Sequence, residues 1–288
     1  MIHSHTALSS IAISAQRLAI ASLVLVVATA SLGSVRSVGE AILAHPARIA
    51  MIGAGIAGYQ TLWFVSITHV GSSTATVLSL GSATVLVTAW ESWRARARPS
   101  TGRVVVVIAA VIGLVLVSSS AEHGDAGSGD RALGLGMATC SGVLYAVTTV
   151  LSTRMAGRVR PLALTTATTA IGAVFLFPIA ASTGPVVTSD TTSLLALAYL
   201  GVVTMTLGYL LLYSGLRTAP ASAAVVATLI EPATATVLAF LVLGDRLTVP
   251  AMVGVILILV SIGVLHLVGG SRAGPRWWRR RHTGAHHV

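Results

Sequence analysis

Apolar residues run through this chain in long unbroken stretches, not at the every-third-or-fourth spacing of a half-buried helix or the alternation of a strand. Crossing a hydrocarbon core takes roughly 17–25 apolar residues in helical form. Nine stretches meet that length: 11–32, 49–68, 72–90, 104–121, 132–153, 161–181, 194–214, 221–243 and 249–268. The breaks between them are mostly short and carry Gly, Pro, Ser and charge, as expected where helices stop at headgroups. The pattern predicts an all-α integral membrane protein, a bundle of nine transmembrane helices.

Composition sharpens this. Of 288 residues 55% are hydrophobic and 9% charged, with a mean hydropathy of +0.88. That leaves too little polar surface to cover a soluble globule. A net charge of +10 raises nucleic acid as a partner, but the arginines are distributed as a membrane topology would require. Placing loops on alternate sides puts Arg36, Arg48, Arg94, Arg96, Arg98, Arg103, Arg154, Arg158, Arg160, Arg217, Arg272, Arg276, Arg279, Arg280 and Arg281 on one side. Arg131 and Arg246 fall on the other, together with Glu122, Asp125, Asp130, Asp190 and Asp245. The positive-inside rule then sets the C-terminus in the cytoplasm and, with nine spans, the N-terminus outside. The expected location is a bacterial-type inner (plasma) membrane, with the lipid bilayer as the main partner and no nucleic acid. The basic tail 269–288, with Trp277 and Trp278 among its arginines, suits an interfacial anchor. The first span resembles a signal-peptide core ending in Ala28-Thr29-Ala30, but its flank before Arg17 lacks Arg and Lys and eight spans follow, so it is read as retained.

An ungapped shift of 150 positions superimposes the two halves. Gly58 and Tyr59 fall on Gly208 and Tyr209, Leu62 on Leu212, Thr68 on Thr218 and Ser72 on Ser222. Ala83 and Thr84 fall on Ala233 and Thr234, and Ile112 and Gly113 on Ile262 and Gly263. The same shift lays spans one to four on spans six to nine. The fifth span, 132–153, has no mate. The expected organisation is a first repeat over 1–121 that lacks its first helix, a second over 132–268, and the tail. An odd number of spans per unit inverts one copy relative to the other, as in many secondary transporters with binding sites at the repeat interface.

Within the second half, the stretch GYLLLYSGLRTAPASAAVVATLIEPATATVLAFLVLGDRLTVPAMVGVILILVSIGVL, residues 208–265, resembles the EamA-type permeases of the drug/metabolite transporter superfamily. The resemblance rests on a Gly-Tyr helix, an Ala-Pro-Ala loop, a Glu-Pro in the next helix, an acid after it (Asp245, where Glu is more usual) and a Gly-bearing last helix. It is looser in the first half, where the Glu-Pro position reads Gly81-Ser82. What it implies is a five-plus-five inverted arrangement, here four plus five, and export of metabolites or drugs.

One motif points elsewhere. Gly53, Gly55 and Gly58 have the G-x-G-x-x-G spacing of a dinucleotide-binding turn. That turn needs a preceding strand and an acid about 20 residues on; the next acid is Glu91, beyond another apolar span. Small residues in a membrane helix instead allow close backbone approach. With no lysine a Walker A loop is impossible. The nine histidines form no metal motif, and His69 and His266 read as interfacial. No cofactor, metal or enzyme activity is expected, and Cys140 reads as a small packing residue.

The candidate substrate or proton site centres on Glu231, which lies near the middle of its span. A carboxylate there is costly unless neutral, paired or hydrated. Pro232 lacks the N–H that would bond the Thr228 carbonyl and is expected to kink the helix. Arg17, the one basic residue within a span, is a second candidate; an ion pair with Glu231 is the structural alternative. Tyr59, Gln60 and Trp63, their mates Tyr209 and Tyr213, and Tyr145 are expected to form aromatic walls for an amphipathic small molecule. The resulting expectation is a permease working by alternating access, with proton coupling through Glu231. A non-transporting remnant and a membrane enzyme on lipid-linked substrates are the alternatives, and monomer or homodimer is left open.

Overall fold

The computed structural model describes residues 10–120, 130–182, 191–238, 240–241 and 248–270. Glu122, Asp125, Asp190, Asp245, Arg246 and the tail from 271 onward lie outside them. The described residues are helices joined by short turns, with no strand among them: α1 (Ser10–Ser31), α2 (Val35–Ala44), α3 (Pro46–Val70), α4 (Ser72–Arg94), α5 (Thr101–Ser120), α6 (Arg131–Ala156), α7 (Pro161–Ser182), α8 (Thr191–Tyr199), α9 (Gly208–Gly215), α10 (Ala221–Thr228), α11 (Ile230–Leu238) and α12 (Val249–Gly270). A π-helical stretch, Leu200–Leu207, joins α8 to α9. Eight helical segments are long and apolar enough to cross a membrane, and Val249–Leu265 is a shorter apolar helix. The fold is therefore that of an all-α multi-pass membrane protein, and each expected span falls on one of these helical segments.

Three local features depart from the sequence reading. The segment after the first span, expected to be a loop, contains α2. Gly33, at φ +62°, turns the chain out of α1, and α2 buries Ala41 while Val38 and Ile42 pack on the main core. Its outer face carries an exposed Arg36–Glu40 pair at 2.9 Å. Arg48 lies inside α3, which begins at Pro46, a residue that costs nothing in the first helical turn. Cys140 is exposed on α6, so it faces the surroundings of the bundle and is not a packing residue.

The third departure is the π-helical stretch. A Cβ on Gly201 would lie 2.7 Å from Ile20 Cγ2 and 3.2 Å from the Arg17 carbonyl. Glycine there lets this segment press against α1, and the local widening shows in the Thr206 hydroxyl bonding the Gly201 carbonyl five residues back at 3.1 Å. Single π turns inside α-helices concentrate at functional sites.

Helix packing follows the 150-residue shift. α1 packs on α7, α5 on α12, α3 on α7, and α1 on the π-helical stretch; the last two pairings exchange under the shift. α6 covers α3 and α4. The main core joins residues of α1, α2, α3, α4, α6, α7, the π stretch, α9 and α10, and a second cluster joins Ala110, Leu114 and Val117 of α5 to Val226, Leu229, Ala233 and Ile258. Much of the interior is hydroxyl-bearing. On α7, Thr165, Thr166, Thr168 and Thr169 are buried and each bonds the carbonyl four residues back at 2.8 Å. These side chains are thus satisfied within their own helix.

The glycine motif of α3 is explained by this packing. A Cβ on Gly53 would meet Ile171 Cγ2 at 2.7 Å and the Thr168 carbonyl at 2.9 Å; one on Gly55 would collide with Thr148 Oγ1; one on Gly58 would make an ordinary 3.4 Å contact with Leu144. Gly53 seats α3 on α7, while Gly55 and Gly58 face α6.

Candidate functional site

The four tyrosines proposed for the site converge. The Tyr59 hydroxyl of α3 hydrogen-bonds that of Tyr209 on α9, its counterpart 150 residues later. Tyr59 also packs edge-on against Tyr145 of α6, centroids 5.0 Å apart, and Tyr209 lies 5.9 Å from Tyr213. Further contacts hold each ring. The Tyr145 hydroxyl donates to Thr228 Oγ1 at 3.4 Å, and the Tyr213 and Thr168 hydroxyls lie 3.3 Å apart. Ser141 Oγ donates to the Tyr59 carbonyl at 2.8 Å and lies 3.0 Å from Ser79 Oγ. Phenols need partners when buried, and here they find them mainly in one another and in hydroxyl side chains.

A second group adjoins on α1. Gln60, next to Tyr59, is buried, accepts from Ser14 Oγ at 3.0 Å and points its amide at Met205 Sδ, 3.9 Å away. Arg17, one helical turn beyond Ser14, is 8% exposed. Its Nη2 donates to Thr204 Oγ1 at 3.2 Å, and its guanidinium carbon lies 5.8 Å from the centre of the Phe64 ring. Its Nε is buried without a hydrogen-bond partner. Among the described residues no carboxylate comes within ion-pair distance of Arg17; the Arg17–Glu231 pair weighed from sequence is not formed.

Glu231 sits at a break in its span. Helix α10 ends at Thr228, Leu229 makes a turn with its N–H on the Val226 carbonyl at 3.1 Å, and α11 begins at Ile230. Pro232 cannot donate to the Thr228 carbonyl, which is the physical cause expected for such a break. Val226, Leu229 and Ala233 bury the opposite face against α5 and α12, so Glu231 turns away from that packing. Its side chain is exposed, as are Ala227, Thr234 and Ala235 on the same face. Among the described residues its carboxylate has no hydrogen bond or ion pair, but Arg17, Tyr59 and Tyr145 all lie within its electrostatic reach.

Trp63 is not part of this assembly. It stacks edge-on against Phe64 at 4.8 Å, beside Ala12, Ile13 and Leu197. Four residues of helix rotate a side chain by about 40°, enough in a crowded bundle to change its neighbour. Ser14, Phe64, Ser141, Thr168, Thr204 and Met205 were not identified from sequence. Only Ser14 carried a signal, lying one turn from Arg17 on the same helix.

A third polar group lies elsewhere, at a helix end. The Glu91 carboxylate near the end of α4 accepts from the Ser222 backbone N–H at 3.1 Å and its hydroxyl at 2.6 Å, and pairs with Arg103 of α5 at 3.2 Å. It caps the N-terminus of α10, where a negative charge meets the helix dipole. These bonds bring the 94–103 and 217–222 connections to one end, as the loop assignment required.

The described residues form a multi-pass helical membrane protein with buried, clustered tyrosines, an arrangement compatible with a membrane transporter. Comparison with known proteins agrees: residues 132–267 match the EamA-like transporter family. A Bacillus subtilis protein named as an uncharacterized transporter, YwfM, is 27% identical over 210 residues, covering 73% of this chain and 70% of its own. An uncharacterized inner membrane transporter of Salmonella typhimurium, YicL, is 27% identical over 214 residues, covering 74% and 70%. A protein known from its crystal structure superposes with a TM-score of 0.77 over 93% of this chain and 91% of that one, at 18% identity, a likeness of fold. These likenesses indicate a membrane transporter whose residues 132–267 are similar to the EamA-like transporter family.

Proposed function

We propose that the chain is a secondary transporter that exports a small organic metabolite or drug by alternating access, with proton movement through Glu231. The observation that carries this reading is the Tyr59–Tyr209 contact, in which two residues 150 positions apart meet, with the Glu231 carboxylate within electrostatic reach of Tyr59. In a carrier built from inverted copies, the solute site lies where the copies meet and the copies rock about it. Opening then requires contacts between the halves to break on one side and form on the other. The Glu91–Ser222 bonds span the halves at the arginine-bearing end, which on this reading faces the cytoplasm.

Glu231 suits the coupling role because its span is already broken beside it. A carboxylate on an open face at membrane depth is retained when it takes up protons or contacts a solute. Pro232 leaves the Thr228 carbonyl without its helical N–H donor, and such a carbonyl is tolerated at membrane depth where it faces protein or water.

The test is metabolite profiling of medium from cells expressing the wild type or Glu231→Gln at equal membrane abundance. At least one organic solute accumulates outside with the wild type, and the mutant loses its dependence on the proton gradient. Unchanged proton-dependent export by Glu231→Gln removes that residue from the mechanism, and identical profiles with and without the wild type remove the exporter reading.

A further inference from the structure

Glu231 explains a proton pathway but leaves Arg17 unexplained. A guanidinium offers five N–H donors and stays charged in proteins. This one is 92% buried by its 8% exposure, yet among the described residues it has one hydroxyl partner and no carboxylate. Its Nε is an orphaned buried donor. Leaving such a group unmatched is destabilising, and the described residues supply no anionic counterpart.

We propose that Arg17 is the anion-binding element of the site and that the transported solute carries a monovalent oxyanion, a carboxylate, next to an apolar or aromatic body. This rests on the carrier reading above. Charge matching sets the valence. Arg17 is the one arginine deep within a described span, those of α3, α4, α5 and α6 lying in the first or last turn, and Glu231 lies within its electrostatic reach, so a second negative charge on the solute would meet repulsion and no partner. The planar guanidinium matches a carboxylate in a two-bond fork. The Phe64 ring beside it and the phenols of Tyr59 and Tyr209 within reach suit a ring or short apolar chain. The π-helical stretch has a role here. Gly201 lets it close on α1, and that approach sets Thr204 against the guanidinium, orienting it while leaving other donors for the solute.

The test uses purified full-length protein in lipid nanodiscs and a panel of aryl carboxylates, benzoate through phenylpropionate, each matched with its primary amide. Binding is read from ligand-induced shifts in unfolding temperature. Wild type should favour each bound carboxylate over its amide by about tenfold to hundredfold, the range for a hydrogen bond to a charged group. Arg17→Gln should lose that preference and Arg17→Lys keep part of it. Without probe, Arg17→Met should unfold no more readily than wild type, because it removes a buried unmatched charge.

The proposal is overturned if no carboxylate is preferred by wild type, if Arg17→Gln keeps the preference, or if Arg17→Met is markedly less stable, the signature of a structural ion pair. Flux in proteoliposomes separates the two readings. Arg17-dependent binding without flux sinks the carrier and spares the anion site; Arg17-independent export of neutral solutes does the reverse.

Discussion

Replacing Gly53 with alanine tests the packing that positions the site. The added Cβ would lie 2.9 Å from the Thr168 carbonyl oxygen, 2.9 Å from Ile171 Cβ and 2.7 Å from Ile171 Cγ2. Two of these atoms belong to, or sit directly on, the α7 backbone, so rotamer changes cannot relieve the contact. Helices α3 and α7 must separate by about half an ångström, which loosens contacts along the whole interface because interiors are close-packed. Overpacking of this kind costs about 1–3 kcal/mol, and the better helix propensity of alanine returns at most about 1 kcal/mol. Gly58→Ala on the same helix is the control. Its Cβ would meet a Leu144 terminal methyl at 3.4 Å, so it should be neutral or slightly stabilising. Reversible unfolding of both variants in mixed micelles should place Gly53→Ala about 1–3 kcal/mol below Gly58→Ala. Equal stability would show that the glycine is not there for helix contact, and the explanation of the G-x-G-x-x-G spacing would fall with it.

Other perturbations separate structural from functional contacts. Tyr59→Phe and Tyr209→Phe should each cost about 0.5–1.5 kcal/mol, while the double mutant costs clearly less than their sum; strict additivity in unfolding would mean the two hydroxyls do not pair. Glu91→Gln weakens the cap on α10 and its pair with Arg103, worth about 1 kcal/mol or more. In a Cys140→Ser background, maleimide should then label a cysteine at Ala221, now 3% exposed, roughly tenfold faster; an unchanged rate would show that Glu91 does not hold that end shut. Arg36→Ala breaks an exposed pair on α2 and should move stability by no more than about 0.5 kcal/mol, a larger loss in the same unfolding assay pointing to a further role for α2.

What the sequence disclosed and what it concealed divide along physical lines. Lipid demands some 20 apolar residues per crossing, so the spans were legible to within a few residues. The meeting of Tyr59 and Tyr209 was legible because a repeat turns a one-dimensional shift into a spatial relation. Helix α2 was not, since ten mixed residues carry too few turns to stand out from a loop. Nor was the π-helical stretch, which depends on Gly201 approaching Ile20 of a helix some 180 residues earlier. The partners of Arg17 were concealed for the same reason: Thr204 and Phe64 reach it through the rotation of two other helices, a quantity no periodicity in this chain encodes.

The positions where the repeat fails to match bear on function more than those where it succeeds. If the halves were identical, exchanging their conformations would turn the molecule into its own inverted image, and the two openings would be equal in energy. Energy differences therefore come from mismatched positions. The shift pairs Arg17 with Ala167 and Glu231 with Gly81, so each buried or open charge faces a small neutral mate. It pairs Glu91 with Leu241 and Arg103 with Val253, so the ion pair and cap at one end have no equivalent among their mates at the other. Closure at the Glu91 end gains charge-assisted bonds that Leu241 and Val253, the mates of Glu91 and Arg103, cannot form. On the carrier reading, that difference sets the resting orientation, and a solute shifts it only through its unequal affinity for the two states.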